Sequence, residues 1–351
     1  MKGRLLFFAG IIIVLSACSA NRALPEEKVL FPSVEMGKWW LLNVVSTDGE
    51  GKDVHLSALL SFNPVSGKYY TSFFTSLWMA SDSVYYSGIQ SADDAFFKTK
   101  LKFPILLDIL GKDSTHSEWS WSLGRKAMRL NSVLKDKESG ESLPISMNIQ
   151  LDDSRPFKLI QTMASPEIQS MTPSVSGNHE SPFVMTTIPF GLLDMKLKGT
   201  WKMKAPANLS VHVMSSEGQL LIKTKKNYIS WLDLNLKNGK HLSALLETDA
   251  LGNIQVLSQT LWDAQGKLTP SVFLVKIDKS AIWKSSVTHK SYPLGVFIQI
   301  LDENVHLSIR PRIKEQEISA NKNSFWMGAI EAKDSVTGAV VGVGNMYILK
   351  Q

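Results

Sequence analysis

The chain has 351 residues and a formal net charge of +6, with 44% hydrophobic and 20% charged residues. This composition is ordinary for a folded globular protein and excludes a disordered or low-complexity chain. The basic excess is small and dispersed, which argues against a nucleic-acid-binding protein. At roughly 100–200 residues per domain, the length predicts two domains.

The N-terminus has the pattern of a bacterial signal peptide. A basic start, Met1–Arg4, precedes an apolar run over Leu5–Leu15 that is shorter than the ~20 residues a bilayer span requires. Leu15-Ser-Ala-Cys18 follows and resembles the lipobox, whose cysteine is acylated after cleavage. We expect residues 1–17 to be removed as a signal peptide; the alternative is a free thiol within an ordinary signal.

Cys18 is the single cysteine of the chain and stands where the lipobox requires one. Several acyl chains on this residue would anchor the protein stably to a membrane. Ser19 after the cysteine predicts the outer membrane, with the protein facing the periplasm. We expect residues 18–34 to form a lipidated tether.

A repeated hairpin organises the folded part of the chain. His55-Leu-Ser-Ala-Leu-Leu60 recurs unchanged at His241–Leu246, and a Gly-Lys pair stands just upstream of each copy. An apolar segment with tryptophan precedes each pair. Each block therefore predicts a strand, a glycine-containing turn and a second strand, used once in each of two related halves.

Alternation of apolar and polar residues dominates the rest of the chain. It is clear in Val54–Leu60 and Asp194–Lys198, and Val296–Leu301 with Val305–Arg310 predicts a further hairpin. Short strands separated by Gly-containing turns are typical of antiparallel barrels and sandwiches. Helical signals are few, and Phe103–Gly111 fits either a helical turn or a buried strand.

Motifs spread along the chain resemble one protein family. Gly37-Lys-Trp39-Trp40-Leu-Leu-Asn43, followed by Asp48-Gly49, is similar to the opening motif of the AttH-like and carotenoid 1,2-hydratase (hydroxyneurosporene synthase) proteins. The later family motifs are matched in order by Tyr292-Pro293-Leu294, Glu315-Gln-Glu-Ile318, Ser324-Phe-Trp326-Met-Gly328-Ala-Ile330 and Gly342-Val-Gly344-Asn-Met-Tyr347. The resemblance covers roughly residues 35–351.

The resemblance implies an all-β protein with two lipocalin-like antiparallel β-barrel domains and few short helices. We expect the N-terminal domain over residues 35–190 and the C-terminal domain over residues 191–351. A loop rich in Ser, Pro, Thr, Gly and Asn, Ala164–Ser181, precedes the boundary.

The family's enzymes carry histidine and carboxylate residues for adding water across a double bond, and this chain departs from that pattern. Lys198–Ala205 has neither a histidine nor an acid where the family has both. Ser230 stands where an aspartate is expected, and a serine does not hold a proton at neutral pH as a carboxylate does. The resemblance thus implies the fold, while the departures favour a protein without catalysis.

The remaining acid–base candidates are weak. His179 and Glu180 are adjacent in the inter-domain loop and would point to opposite sides of an extended chain. His241 and its counterpart His55 lie opposite the apolar face of the repeated strand. They are either surface histidines beside the turn or, if the apolar face is the outer one, groups inside a cavity.

Large aromatic residues are the candidate ligand-binding groups. Indole rings bury much area while keeping a polar N–H, so they suit an apolar pocket and equally a barrel core. The candidates are Trp39, Trp40, Trp119, Trp121, Trp231 and Trp326.

No histidine grouping has metal-ligand spacing, no nucleophile or phosphate-binding motif is present, and we expect no metal and no cofactor. The leading hypothesis is a membrane-anchored lipoprotein that binds or carries an apolar molecule such as a lipid or isoprenoid. The alternatives are a hydratase or hydrolase of hydrophobic substrates, and a structural envelope lipoprotein. The sequence does not indicate an oligomeric state.

Overall fold

The structure is a computed structural model. It describes residues 38–65, 68–93, 97–99, 105–112, 118–124, 126–136, 139–152, 160–161, 163–164, 185–187, 190–197, 201–215, 228–249, 251–320 and 323–350. Within these ranges the chain is almost entirely β-strand, with two short 3₁₀ helices at Lys279–Ala281 and Leu301–Glu303. The predicted all-β class with few short helices is confirmed.

Some strands of the first part of the chain, such as Glu118–Gly124 and Ser142–Leu151, alternate in burial, whereas Trp40–Val45 and Val54–Ser61 are buried on both faces. In chain order the strands of this part are β1 (Lys38–Thr47), β2 (Asp53–Val65), β3 (Lys68–Met79), β4 (Val84–Asp93), β5 (Phe97–Thr99), β6 (Ile105–Lys112), β7 (Glu118–Gly124), β8 (Ala127–Asp136), β9 (Ser142–Leu151), β10 (Ile160–Gln161), β11 (Met163–Ala164), β12 (Met185–Thr187), β13 (Phe190–Leu197) and β14 (Trp201–Ser215). The segment Phe103–Gly111, undecided from sequence, contains most of strand β6.

The strands of the second part follow from residue 228 onwards. They are β15 (Tyr228–Leu236), β16 (His241–Thr248), β17 (Ile254–Trp262), β18 (Leu268–Thr269), β19 (Phe273–Ile277), β20 (Ile282–Lys284), β21 (Ser291–Pro293), β22 (Val296–Ile300), β23 (Val305–Pro311), β24 (Glu317–Ala320), β25 (Asn323–Asp334) and β26 (Val340–Lys350). The predicted hairpin of β22 and β23 is confirmed, and its turn contains the second 3₁₀ helix.

Eight strands of the first sheet close into an antiparallel barrel. Around the barrel the order is β1-β2-β3-β4-β8-β9-β13-β14, and β14 pairs with β1 to complete it. Closure satisfies the backbone groups of what would otherwise be edge strands. Its interior is apolar, and the side chains of Val54, Leu56, Ala58 and Leu60 on β2 all belong to this core.

The second sheet is an open half-barrel. Its main order is β11-β17-β16-β15-β26-β25-β23-β22-β19, with β18 and β24 attached at the side. Strands β13 and β14 belong to the first barrel, and every described strand from β15 onwards except β20 and β21 belongs to the second sheet. The domain boundary at residues 190–191 stays a prediction.

Both copies of the repeated hexapeptide are the second strand of a hairpin, as predicted. Strand β1 pairs with β2 and strand β15 pairs with β16. Gly51 and Gly239 in the two turns have φ values of 76° and 83°, a backbone conformation that glycine adopts without steric cost. The duplication therefore extends from sequence to backbone geometry.

The two halves pack through the outer faces of their repeated hairpins. Strands β1, β2 and β3 of the barrel contact β25 and β26 of the half-barrel. A third apolar cluster fills this interface and contains Leu41, Leu59, Trp231, Phe325 and Tyr347 among its members. Hairpin positions that would face water in an isolated barrel are therefore buried here.

Candidate functional site

A buried polar cluster interrupts the apolar interface where the two first hairpin strands meet. Asn43 on β1 stands opposite Ser57 on β2, and Asp233 on β15 stands opposite Ser243 on β16, so Asn43 and Asp233 are equivalent positions of the repeat. The Ser57 hydroxyl donates to Oδ1 of Asn43 at 2.8 Å. This bond turns the amide NH₂ of Asn43 towards Asp233, to whose Oδ2 it donates.

Two histidines complete the environment of the Asp233 carboxylate. Nε2 of His212, from the barrel strand β14, lies 2.7 Å from Oδ2, and Nε2 of His241, from β16, lies 3.4 Å from Oδ1. The three residues are 0%, 2% and 4% exposed for His212, Asp233 and His241. The cluster therefore joins both halves of the molecule and is shielded from bulk water.

The histidines keep this carboxylate ionised. Burial by itself would raise the pKa of Asp233, but the adjacent His212 and His241 hold it well below its ordinary value. An ionised carboxylate only accepts hydrogen bonds, so Nε2 carries a hydrogen on both imidazoles. Burial lowers the pKa of His241, against the opposing pull of Asp233.

Asn235 supplies the second contact of His241. Its side-chain amide meets Nδ1 of His241 at 2.9 Å. An amide can present either its oxygen or its NH₂ group by turning over, so it can accept from a protonated Nδ1 or donate to a neutral one. Asn235 thus supports both protonation states of His241, which proton transfer requires.

Tryptophan rings fix the orientation of the two imidazoles. The ring of His212 lies 4.4 Å from that of Trp231, and the ring of His241 meets Trp262 edge-on at 5.7 Å. The indole N–H of Trp231 in turn donates to Ser243 at 3.4 Å. Packing on both rings restricts their movement, which is the condition for a preorganised acid–base group.

A cleft of about 590 Å³ opens between the two halves beside this cluster. This size is within the range of small-molecule sites. It is lined, among others, by Val45, Asp53 and Pro206 from the barrel and by Asn235, Arg312 and Val343 from the half-barrel. Because Asn235 both lines the cleft and contacts His241, one side chain separates the cleft from the buried histidine.

The arrangement has the parts of a proton-transfer site. A buried carboxylate that holds an imidazole N–H orients the ring and stabilises its protonated form. Here one carboxylate holds two imidazoles at once. Among the residues that the structure describes, no group of three or more His, Cys, Asp or Glu side chains is arranged to hold a metal ion.

The acid–base candidates from sequence have different outcomes. His241 lies in the cluster, and His55 is its counterpart in the first half. Neither is a surface histidine, because both point outwards from their own sheet into the interface. His55 is only 2% exposed and His241 only 4%. His179, Glu180 and the lipidation site Cys18 lie outside the described residues.

The six candidate tryptophans do not surround one pocket. Trp40, Trp119 and Trp121 lie in the barrel core, Trp326 lies in the half-barrel core, and Trp231 lies in the interface with Trp39 packed against it. Trp119 and Trp121 lie on the same face of strand β7, and both are fully buried. A ligand-binding role for these residues stays a prediction.

Asp233 and His212 are the residues that the sequence analysis missed. The sequence signal for Asp233 is its place in Trp231-Leu-Asp233-Leu-Asn235, where a charged residue alternates with leucines in a strand beside the repeat. His212 lies within the short alternating segment Val211–Met214. Asp233 lies three residues after Ser230, and His212 lies beyond Lys198–Ala205.

Within the described part of the chain, no helix has the length and apolar character needed to cross a membrane.

Comparison with known proteins identifies the fold. No family model and no curated protein sequence matches the chain. Among solved structures, a putative AttH from Nitrosomonas europaea superposes with a TM-score of 0.61 at 13% identity, covering 95% of this chain and 98% of that one. The fold implied by the sequence motifs is thereby confirmed.

Two further structures share this fold. Kievitone hydratase from Nectria haematococca gives a TM-score of 0.56 at 13% identity, covering 96% of this chain and 95% of that one. CghA gives 0.50 at 10% identity, with 94% and 93% covered. Identities this low establish the AttH-like, lipocalin-like architecture and no more than that.

Proposed function

We propose that this protein is a hydratase-type enzyme that adds water to a double bond of a small, largely apolar substrate held in the interdomain cleft. The observation that carries this proposal is the buried Asp233 carboxylate bound by His212 and His241, which Asn235 separates from the cleft. The likeness of fold to kievitone hydratase is consistent with this class. It departs from the sequence-based expectation of a binder without catalysis.

The proposed reaction needs one proton donor and one proton acceptor. Protonated His241 gives its Nδ1 proton to one alkene carbon once the Asn235 side chain has turned away from Nδ1. This step forms a C–H bond and leaves a carbocation at the other carbon. A water oxygen bonds to that carbon and returns a proton to the imidazole, so alkene and water become an alcohol. Asp233 remains ionised throughout and stabilises the imidazolium.

The cleft indicates the class of substrate. Valine, proline and leucine side chains provide apolar walls, and polar or charged side chains, among them Asp53, Asn235 and Arg312, lie between them. Ligand sites of this kind select an apolar body and orient it through few hydrogen bonds. An isoprenoid with an isolated double bond fits this description.

Incorporation of labelled oxygen tests the proposal. Purified protein is incubated in H₂¹⁸O with a panel of acyclic isoprenoid alkenes, and ¹⁸O-labelled alcohol is measured by mass spectrometry. Wild-type protein should form labelled alcohol, and Asp233→Asn should lower the rate by roughly 10²-fold or more, as loss of acid–base groups does. His241→Gln should have a similar effect.

His289→Asn is the matched control, because His289 is exposed and has a φ of 58° that asparagine tolerates. It should leave the rate unchanged. Labelled alcohol at equal rates in wild type and Asp233→Asn would contradict the assignment of the cluster. Absence of labelled alcohol from the whole panel would contradict the substrate class.

A second candidate is a carrier that binds an apolar molecule without reaction. One observation favours it: Asn43, His212 and His241 surround the Asp233 carboxylate, which is nearly fully buried. Lipid extraction of purified protein followed by mass spectrometry should then recover a bound ligand absent from a denatured control. Recovery of an unchanged ligand, without turnover of any alkene, would favour this function over the hydratase.

We further propose that the chain is anchored to the bacterial outer membrane through an acylated Cys18, facing the periplasm. The support is the lipobox-like Leu15-Ser-Ala-Cys18 with Ser19 behind it. Cells grown with an alkyne-bearing palmitate should label the wild type and not Cys18→Ala. Equal labelling of both would contradict the anchor.

A further inference from the structure

A second buried histidine of the interface, His55, lies on the barrel half of the molecule. His55 occupies the same place in the repeated hexapeptide as His241, and its ring meets Trp78 edge-on with centroids 5.4 Å apart. His241 meets Trp262 in the same way at 5.7 Å. The duplication has therefore preserved a histidine packed on a tryptophan in both halves.

The hydrogen-bond partner of Nε2 differs between the two copies. Nε2 of His241 contacts Asp233, whereas the equivalent residue of the first half, Asn43, directs its amide to Asp233. Nε2 of His55 consequently has no hydrogen-bond partner among the described residues, although His55 is only 2% exposed. A buried polar atom without a partner is costly and indicates a function.

The tautomer of His55 is fixed by its neighbours. Nδ1 lies 2.8 Å from the carbonyl oxygen of Gly344 and 3.1 Å from Oδ1 of Asn345. The amide of Asn345 cannot be reversed, because its NH₂ group already donates to the carbonyls of Val44 and Leu56. Both partners of Nδ1 are acceptors, so Nδ1 carries the hydrogen and Nε2 presents a lone pair.

Trp78, whose ring contacts that of His55, and Arg312, which lies over the Trp78 ring, each have one donor without a partner among the described residues. The indole Nε1 of Trp78 and the guanidinium Nε of Arg312 are both buried without a hydrogen-bond partner. The guanidinium carbon lies 5.9 Å from the centre of the Trp78 ring, and its terminal nitrogens are occupied by Asp53 and Glu331. One acceptor and two donors thus occur together around one indole.

This group lies next to the interdomain cleft. Arg312 and Asp53 line the cleft, and so does Val45, which pairs directly with His55 in the β1–β2 register. A hydroxyl group matches the set, since it donates one hydrogen bond and accepts two. An aliphatic chain attached to that hydroxyl would extend along the apolar walls of the cleft.

We propose that His55, Trp78 and Arg312 form a hydroxyl-binding subsite of the cleft, which takes the alcohol group of an amphiphilic isoprenoid. His55 accepts the hydroxyl hydrogen, and the indole of Trp78 donates to the hydroxyl oxygen. The inference rests on the proposed function in one respect, because it places the ligand in the same cleft. It adds that the ligand bears a hydroxyl.

Two probes that differ only at the hydroxyl test the subsite. Geraniol and geranyl methyl ether are titrated into purified full-length protein, and the two dissociation constants are measured by calorimetry. Wild-type protein should bind geraniol roughly tenfold more tightly than the ether, the ratio that one satisfied buried acceptor supports. His55→Phe should bring the ratio close to one by weakening geraniol binding alone.

Trp78→Phe provides a second variant that removes a donor and keeps an aromatic ring, and His289→Asn serves as the unaffected control. Trp78→Phe should weaken geraniol and the ether alike by several-fold, because both oxygens accept from the indole, and this decides the matter if His55→Phe does not fold. An unchanged ratio in folded His55→Phe, or unchanged affinity for both probes in Trp78→Phe, would overturn the subsite and leave the proposed function standing. Failure of wild-type protein to bind either probe would overturn both.

Discussion

At the scale of single residues, the protein is distinguished by polar groups buried where an interface is otherwise apolar. Asp233, His212 and His241 satisfy one another, which compensates for the cost of burying a charge. His55 does not have such a partner at Nε2. The same repeat position therefore holds a histidine whose Nε2 contacts a carboxylate in one half. In the other half it holds a histidine whose Nε2 has no partner among the described residues.

The buried side chain of His55 should make the free energy of unfolding depend on pH. Burial lowers the pKa of His55 to about 4 from its ordinary 6.5. Between these values the unfolded chain binds a proton that the folded chain does not, so stability is full above pH 6.5 and decreases as the pH falls towards 4. The free energy of unfolding that is lost through His55 between pH 6.5 and pH 4 amounts to roughly 3 kcal/mol.

Urea unfolding at intervals between pH 7 and pH 4.5 measures this effect. The free energy of unfolding of wild-type protein should decrease more steeply with falling pH than that of His55→Gln. His289→Asn should follow the wild type. Parallel pH profiles for wild type and His55→Gln would show that His55 is not held neutral by burial.

At the scale of elements, the repeated hairpin was predictable and the burial of its outer face was not. The Gly-Lys turns and the alternation in Val54–Leu60 correctly indicated strand, turn and strand. Alternation normally means that one face of a strand meets water, and that face is one of the two places that the sequence predicts for His55. In the structure the second half covers it, a contact between residues almost 200 positions apart that no local pattern records.

The carboxylate was missed for a related reason. A search by family spacing expects an acid at position 230, whereas Asp233 lies three residues later on strand β15 and therefore on the opposite face of the sheet. His212 reaches it from β14 of the other sheet. Only the packing of the two sheets brings these residues together.

Strands β15 and β26 approach so closely that position 344 on β26 should accept only glycine. A methyl group at position 344 would overlap the carbonyl oxygen of Asp233, and backbone atoms on the neighbouring strand cannot move aside as a flexible side chain does. Gly344→Ala should cost about 1–3 kcal/mol of stability, the range for overpacked sites. It should also weaken acid–base activity, because it displaces Asp233.

Gly49→Ala is the control for this change. Nothing lies within 4 Å of a methyl group at position 49, so its stability should stay within about 0.5 kcal/mol of wild type. Thermal unfolding of the two variants side by side gives the comparison. Equal melting temperatures for both variants would show that the strands separate more easily than the structure indicates.

At the scale of the whole molecule, the interface makes one unit of two related halves. Apolar side chains from both sheets form a continuous cluster, and Phe325 meets Phe74 of the barrel edge-on at 4.9 Å. Hydrogen bonds reinforce it, including one from the Tyr85 hydroxyl to the carbonyl of Met327 at 2.8 Å. The two halves should therefore unfold together.

Replacing an interface residue should uncouple the halves. Phe325→Ala should cost about 3–5 kcal/mol and divide a single calorimetric transition into two. Ile330→Ala on the same strand removes a buried side chain from the half-barrel core instead. It should cost a comparable amount while preserving one transition, and two transitions in wild-type protein would refute the coupling.

The two-barrel architecture was predictable from motif order, because the matched segments run through most of the chain. The assignment of each strand to one sheet or the other was not. Strands β13 and β14 carry no sequence mark that assigns them to the barrel, and only their pairing with β9 and β1 does so. That assignment matters for function, since β14 brings His212 to the interface.

The central claim is that the functional site lies between the two halves and not inside the barrel. A crystal structure of the full-length protein soaked with geraniol tests it most directly. We expect electron density in the interdomain cleft. The hydroxyl should lie within hydrogen-bond distance of Nε2 of His55, and the carbon chain should pass Asn235 towards His241. Density for the ligand inside the barrel, among Phe73, Trp119 and Trp121, with the cleft free of ligand, would contradict it.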